Sequence, residues 1–177
     1  MATPPLKYNK AQIMLHWLSA ALIIIMLFAG LVVLPNLPDG GFKAFAVQMH
    51  MLTGIAIFFL TLVRIVLKKK LQQPLYASTG NALLDKLGVV THYALNIVTL
   101  LVVLAGIGFA LSAGFWDVLW GVYVMPAHTD SALVGFFHEA HEILAFVLIG
   151  LIVLHVAGAV FHQHVLKDNL ISRMKMR

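Results

Sequence analysis

The chain has 177 residues, of which 61% are hydrophobic and only 11% are charged, and its formal net charge is +5 at pH 7. A mean hydropathy of +0.94 excludes an ordinary water-soluble domain, because so few charged side chains cannot form a polar surface. The sequence has no cysteine, which excludes disulfides, thiolate metal sites, cysteine-ligated iron–sulfur clusters and covalently attached c-type haem. The nine histidines are therefore the main candidates for chemistry.

Four stretches lack Asp, Glu, Lys and Arg, and each contains at least 20 residues. At roughly 1.5 Å of rise per residue, a helix of this length crosses the ~30 Å hydrocarbon layer of a membrane. Within one segment, only a helix satisfies its own backbone polar groups there. We therefore predict an all-α fold, a four-helix transmembrane bundle. Its helices are expected at about residues 10–34, 44–67, 87–111 and 139–166 of a single domain formed by residues 1–177.

The first predicted helix begins with a capping-box pattern formed by Asn9 and Gln12, which would satisfy the first free N–H groups. Pro35 and Pro38 are predicted to stop this helix. Its apolar stretch is longer than the hydrophobic region of a signal peptide, and no small-x-small cleavage site follows it. We therefore expect the N-terminus to be retained.

The basic residues are unevenly distributed between the two predicted membrane faces. Eleven of the twelve lie at one face, and Lys43 alone lies at the other. The positive-inside rule makes the crowded face cytoplasmic, so both termini are predicted to be cytoplasmic. Five of the seven acidic residues favour the outer face: Asp39, Asp117, Asp130, Glu139 and Glu142. The net charge therefore reflects membrane topology and indicates no nucleic-acid binding, and Trp116 and Trp120 in the outer loop suit a short helix at the membrane interface.

Four histidines have the spacing expected for two haem sites. His141 and His155 are 14 residues apart, which corresponds to ~21 Å of rise and places the side chains roughly 40° apart around the helix. One helix face thus carries two ligands at two membrane depths. His16 lies at the cytoplasmic depth of His155, and His50 lies at the outer depth of His141. We therefore predict two iron-binding pairs, His16 with His155 and His50 with His141.

Each single histidine has an alternative interpretation as a packing, proton-relay or cavity-facing residue of a membrane helix. Three other histidines compete for the ligand positions. His138 is roughly 100° off the face of His155, His162 shares that face but lies ~10 Å nearer the water, and His92 opens the third helix on the cytoplasmic side. Two more histidines are interpreted as solvated: His128 and His164.

Six stretches in chain order carry a family pattern: Gln12-Ile-Met-Leu-His16-Trp17, Met49-His50-Met-Leu-Thr-Gly54, Leu62-Val-Arg64, Met125-Pro126, His141-Glu142-Ile-Leu-Ala145, and His155 through His162 to Lys167-Asp168-Asn169. Through them the chain resembles the bacterial cytochrome b561 family, including its di-haem superoxide oxidase type. The stretches extend over nearly the whole length. The four-helix plan and the histidine placement are specific together, whereas any one stretch alone is a weak match.

The resemblance implies a bundle in the bacterial inner membrane that holds two b-type haems, with His16, His50, His141 and His155 at the ligand positions. It also implies electron exchange with ubiquinone, either as a substrate or as a bound acceptor. In the superoxide oxidase type, superoxide at the outer face gives up an electron that ends on quinone, which makes the protein an oxidoreductase. One feature departs from this type, because five outer acids against Lys43 would slow the approach of an anion.

Two histidines on each iron leave no open coordination site, which suits outer-sphere electron transfer rather than oxygen binding. Arg64 is interpreted either as the group that neutralises the propionates of the inner haem or as a positive-inside anchor. His92 and His162 are candidates for binding quinone or handling its protons, and no catalytic residue is assigned.

Two other function classes stay open beside an oxidoreductase whose partners are membrane lipid, ubiquinone and superoxide. One is a haem-b anchor subunit that relays electrons from a dehydrogenase or hydrogenase partner to quinone. The other is a haem-free proton or ion carrier built on intramembrane histidines. Reducible haem bands in the visible spectrum would exclude the carrier, and activity that requires a partner would favour the anchor.

Overall fold

The computed structural model describes residues 6–126 and 131–176, and helices are the only regular elements in these ranges. Four helices are long and apolar enough to cross a membrane: α1 (Lys10–Asn36), α2 (Gly41–Lys70), α3 (Ala82–Ser112) and α4 (Ala132–Leu166). The prediction of an all-α fold with four membrane-length helices is confirmed. His128, Asp130 and Arg177, which enter the predictions above, lie outside the described residues.

The beginning of α1 confirms the predicted capping box. The Asn9 side chain accepts a hydrogen bond from the Ala11 N–H at 2.9 Å, and the Asn9 N–H donates to Oε1 of Gln12 at 3.3 Å. The end of the helix differs from the prediction, because α1 continues through Pro35 to Asn36. A π-helical turn at Ala29–Val33 precedes the proline, and the Leu34 N–H reaches back five residues to the Ala29 carbonyl. This wider turn accommodates a ring that would clash with a regular α-helical turn.

Helices α3 and α4 begin several residues before their uncharged stretches. The Asn81 side chain caps α3 by accepting from the Leu83 and Leu84 N–H groups, and Ser131 Oγ caps α4 by accepting from the Val134 N–H at 3.2 Å. Side-chain caps of this kind replace the missing intrahelical partners of the first N–H groups. The helices therefore extend beyond the uncharged stretches from which their bounds were predicted.

The helices pack in sequence order, α1 against α2 and α2 against α3, and the α3–α4 interface is the most extensive. Val102, Ala145 and Leu148 form the buried cluster at that interface. Most other large apolar side chains are exposed, as expected for surfaces that face lipid rather than water. The alternating helix directions bring the beginning of α1 and the end of α4 to the same end of the bundle.

Contacts between connecting segments fix both ends of the bundle. At the first end, the Trp17 indole N–H donates to the Met174 carbonyl at 2.9 Å, which ties α1 to the C-terminal 3-10 helix Leu170–Met174. At the second end lies a short helix, Trp116–Leu119, and Trp120 immediately after it is exposed. The buried Gln48 side chain of α2 donates to the Leu119 carbonyl there at 3.1 Å.

Candidate haem sites

Two pairs of histidines face each other across the bundle. The ring centres of His50 (α2) and His141 (α4) are 6.2 Å apart, with 70° between the ring planes. The ring centres of His16 (α1) and His155 (α4) are also 6.2 Å apart, with 64° between the planes. Because His141 and His155 lie about four turns apart on α4, the pairs occupy two different depths of the bundle.

The separation of the rings fits a metal held between two imidazoles. A metal–nitrogen bond of roughly 2 Å and the ~1.1 Å from a ring nitrogen to its ring centre, counted on both sides, give about 6 Å. Both observed distances are 6.2 Å. Within the described part of the chain, the helices that these pairs join, α1 with α4 and α2 with α4, are not among the closely packed ones. The rings of each pair therefore meet across the bundle rather than at a close helix–helix contact.

The remaining ligands of such a metal would have to come from the cofactor. Among the described residues, no group of three or more His, Cys, Asp or Glu side chains could hold a metal ion. A haem would supply the other ligand atoms from its own ring, with the two histidines of a pair as its protein ligands. The histidine pairs thus fit haem, which needs fewer protein ligands than a bare metal ion does.

His141 is oriented by the backbone of the neighbouring helix. Its Nδ1 lies 2.8 Å from the Val102 carbonyl oxygen on α3. Since a carbonyl only accepts, Nδ1 carries the proton, and the lone pair of the neutral ring is on Nε2 and free for a metal. The opposite ring differs, because Nδ1 of His50 is buried and has no hydrogen-bond partner among the described residues.

Arg64 lies against the other pair. Its guanidinium nitrogen is 3.3 Å from Nδ1 of His16. Because arginine only donates, Nδ1 of His16 is the acceptor, and the proton of the neutral ring is then on Nε2. Iron binding through Nε2 requires this proton to move to Nδ1 and the Arg64 contact to open. Arg64 would then be free to meet an anionic group of the cofactor.

His92 on α3 also lies at this pair, but in a different relation to it. Its ring centre is 5.0 Å from that of His155, and the two rings meet edge to face. This separation is more than 1 Å shorter than the 6.2 Å between His16 and His155, which is too short for a metal with two bonds of roughly 2 Å. His92 therefore lies beside the pair rather than opposite one of its members.

His162 is separate from both pairs. It lies in the π-helical turn His162–Leu166 that ends α4, and its Nδ1 is 2.6 Å from a carboxylate oxygen of Asp168. Burial raises the pKa of the Asp168 carboxyl, but hydrogen bonds from His162 and the Leu170 N–H outweigh it and hold this pKa below its usual value. Of the other histidines, His138 packs against the Phe109 ring, and His164 is exposed.

Sequence reasoning missed two glycines that lie against the rings of the His50–His141 pair. A Cβ added at Gly30 on α1 would lie 3.2 Å from Cε1 of His50, and one added at Gly106 on α3 would lie 2.9 Å from both Cε1 and Nδ1 of His141. A glycine in the middle of an apolar helix is the signal that could have found them, since it often marks a close approach.

Comparison with known proteins identifies a family. The family model described as prokaryotic cytochrome b561 matches residues 7–176. Among the relatives, cytochrome b561 homolog 1 of Escherichia coli is 29% identical over 97% of this chain and 98% of its own length. The probable superoxide oxidase CybB of Yersinia pestis is 28% identical over 95% of each chain. Cytochrome b562 of Cereibacter sphaeroides is 29% identical over 94% of each chain.

Proposed function

Because this chain belongs to the prokaryotic cytochrome b561 family, we propose that it holds two haems b and passes single electrons through the membrane to ubiquinone. Proteins of this family bind haem b and transfer electrons, and the four apolar helices make this chain a multi-pass membrane protein.

His50 and His141 hold one haem, and His16 and His155 hold the other. The observation that carries this assignment is the equal separation of 6.2 Å between the ring centres of both pairs. Each haem, when bound, supplies a one-electron couple. With both histidines of each pair committed to its haem, no position would stay open for oxygen, which would restrict the exchange to electrons.

Polar side chains at the His16–His155 end serve the haem and the quinone. Arg64, already 3.3 Å from His16, neutralises propionates once its contact with that ring opens. His92 lies against His155 and helps to hold the inner site. The His162–Asp168 pair, joined at 2.6 Å, lies near the water at this end and handles protons that quinone reduction consumes.

The orientation follows the distribution of basic residues. We place the protein in the bacterial inner membrane, with its exposed apolar side chains against lipid and both termini in the cytoplasm. Eleven of the twelve basic residues then lie inside. The His50–His141 pair is the outer one, and the His16–His155 pair is the inner one.

Superoxide at the outer face is the first candidate electron donor, supported by the name of the Yersinia pestis relative, probable superoxide oxidase. A donor protein, with this chain as its haem-b anchor, is the second candidate. A specific contact favours the second, because Lys43 is already paired with Asp39 at 2.9 Å. The single outer lysine is thus neutralised locally and attracts an anion such as superoxide only weakly.

The experiment uses the purified protein in lipid nanodiscs with a superoxide-generating system and a soluble ubiquinone analogue. Superoxide-dependent quinone reduction that disappears in His50→Ala and His141→Ala, but not in Lys69→Gln, supports the first donor. Quinone reduction only in the presence of a dehydrogenase partner supports the second. A protein without reducible Soret and α bands would overturn the proposal as a whole.

A further inference from the structure

Val102 and Gly106 on α3 act on the same point of the bundle. They are four residues apart, so the Val102 carbonyl points towards the N–H of Gly106, one turn further along the helix. In an α-helix, each side chain leans towards the N-terminus and covers the turn before its own Cα. A side chain at position 106 would therefore cover the Val102 carbonyl, and the glycine leaves that oxygen open to a second donor.

His141 occupies the space that the glycine leaves. Its Nδ1 lies 2.8 Å from the Val102 oxygen, and the ring packs against the position that a Cβ of residue 106 would take. Such a Cβ would be 2.9 Å from both Cε1 and Nδ1, which is far inside the normal contact distance of about 3.5–4.0 Å between such atoms. An alanine at position 106 would therefore push the His141 ring or α3 away from the position in which this hydrogen bond forms.

We propose that Gly106 and Val102 are positioning residues for His141: the glycine exposes the carbonyl, and the carbonyl fixes the imidazole with Nδ1 protonated and Nε2 free for iron. The inference rests on the proposed function, since it takes His141 as a haem ligand. It adds that the ligand depends on one backbone atom of a neighbouring helix and on the absence of one methyl group.

The consequence is an asymmetric site. A hydrogen bond from the outer nitrogen of a metal-bound histidine fixes the ring and raises its basicity, and its loss typically lowers metal affinity by about 10–100-fold. His141 has this partner, whereas Nδ1 of His50 has none among the described residues. His141 is therefore the anchored ligand of the pair, and damage at Gly106 acts on one of the two haems only.

The test is Gly106→Ala in the full-length protein, with Gly88→Ala as the matched control on the same helix. A Cβ at Gly88 would meet nothing within 4 Å. Both changes raise the helix propensity, so neither weakens α3. Haem content is measured by pyridine haemochrome assay per protein, haem affinity by titration of the apoprotein with haemin, and midpoint potentials by redox titration.

We expect Gly106→Ala to weaken one haem site by about 10–100-fold, or, where haem is retained, to raise the potential of one haem because its ligand is less basic. The second haem stays bound and reports that the bundle has folded. Gly88→Ala should keep both haems. Two haems of unchanged affinity and potential in Gly106→Ala would overturn the inference.

A second variant, His141→Gly, covers the case in which Gly106→Ala loses both haems. In His141→Gly, free imidazole added to the sample can replace the missing side chain without being tied to α4. At saturating imidazole, which offsets the weaker binding expected without the Val102 hydrogen bond, the haem content of Gly106→Ala/His141→Gly should equal that of His141→Gly. A further loss in the double variant would overturn the role of Gly106. If His141→Gly without imidazole kept both haems, the proposed function itself would fail instead.

Discussion

Arg64 directs a guanidinium nitrogen at Nδ1 of His16 across 3.3 Å, whereas Nδ1 of His141 is 2.8 Å from a carbonyl oxygen. Arg64 stays beside the His16–His155 pair as a positive charge when its contact with the His16 ring opens, so the two histidine pairs have environments of opposite polarity. A nearby cation favours the reduced state of a metal centre, and a carbonyl acceptor makes the imidazole a stronger donor and favours the oxidised state. Electron transfer from the His50–His141 pair to the His16–His155 pair is therefore expected to be downhill.

Replacement of Arg64 tests this polarity. Arg64→Gln should lower the midpoint potential of one haem, because the neighbouring positive charge is lost. A unit charge at ~7 Å and an effective dielectric constant of ~20 contributes about 2 kcal/mol. For a one-electron couple, this free energy changes the equilibrium constant by on the order of one to two powers of ten and shifts the midpoint potential by tens of mV. Redox titration at the α band measures the shift. Arg64→Lys should retain most of the potential, and the exposed Lys69→Gln on the same helix should not change it; equal potentials in all variants would contradict the expectation.

His92 is expected to support the inner site without binding iron. His92→Phe preserves an aromatic ring against His155, so both haems should stay bound, and the haem-to-protein ratio should equal that of the unmodified protein. The reason is the 5.0 Å between the two ring centres, which leaves no space for iron between them. Loss of one haem in this variant would mean that His92, rather than His16, is the partner of His155.

Gly30 should be less sensitive than Gly106. A Cβ at Gly30 would lie 3.2 Å from Cε1 of His50, which a shift of a few tenths of an ångström relieves, and His50 has no Nδ1 hydrogen bond to lose. Gly30→Ala should therefore lower haem affinity at this pair by less than about 10-fold, measured by titration of the apoprotein with haemin. Gly54→Ala is the control, because its Cβ would make an ordinary contact of 3.9 Å with Met26. A larger loss in Gly30→Ala than in Gly106→Ala would reverse the order proposed for the two ligands.

Gln48 is expected to contribute to stability rather than to redox chemistry. It donates to the Leu119 carbonyl at 3.1 Å and accepts from the Tyr123 hydroxyl at 3.1 Å. Gln48→Leu leaves both groups unpaired, so it should destabilise the protein by about 1–3 kcal/mol, and Tyr123→Phe, which removes one hydrogen bond, by about 0.5–1.5 kcal/mol. Thermal unfolding in detergent, followed by circular dichroism, compares the two. A Tyr123→Phe variant with the lower Tm would show that Gln48 is not the centre of this contact.

The sequence was sufficient for the helices but not for their ends. Charged residues are rare enough here that uncharged stretches mark all four spans, yet α3 and α4 begin before those stretches, at Ala82 and Ala132. The caps, Asn81 and Ser131, lie in polar segments where many residues of that type occur. The continuation of α1 past Pro35 is unpredictable for another reason: it depends on the π turn that accommodates the proline, which local composition does not reveal.

The candidate sites could be predicted to the extent that the spacing of side chains along the helices defines them. The 14-residue interval between His141 and His155 defines a helix face at two depths, and helix direction then selects His50 and His16. The Val102 carbonyl could not be predicted, because a backbone oxygen has no residue signature. The His92–His155 contact of 5.0 Å could not be predicted either. It depends on the rotation of α3 about its own axis, and an almost entirely apolar helix is too weakly amphipathic to define that rotation.

Haem content and low-temperature electron paramagnetic resonance of four single variants test the central claim most directly: His16→Ala, His50→Ala, His141→Ala and His155→Ala. Each variant should lose one haem, so that the unmodified ratio of about two falls to about one. His50→Ala and His141→Ala should lose the same low-spin signal, and His16→Ala and His155→Ala should lose the other. A single haem in the unmodified protein, or signals lost in any other pairing, would contradict the account.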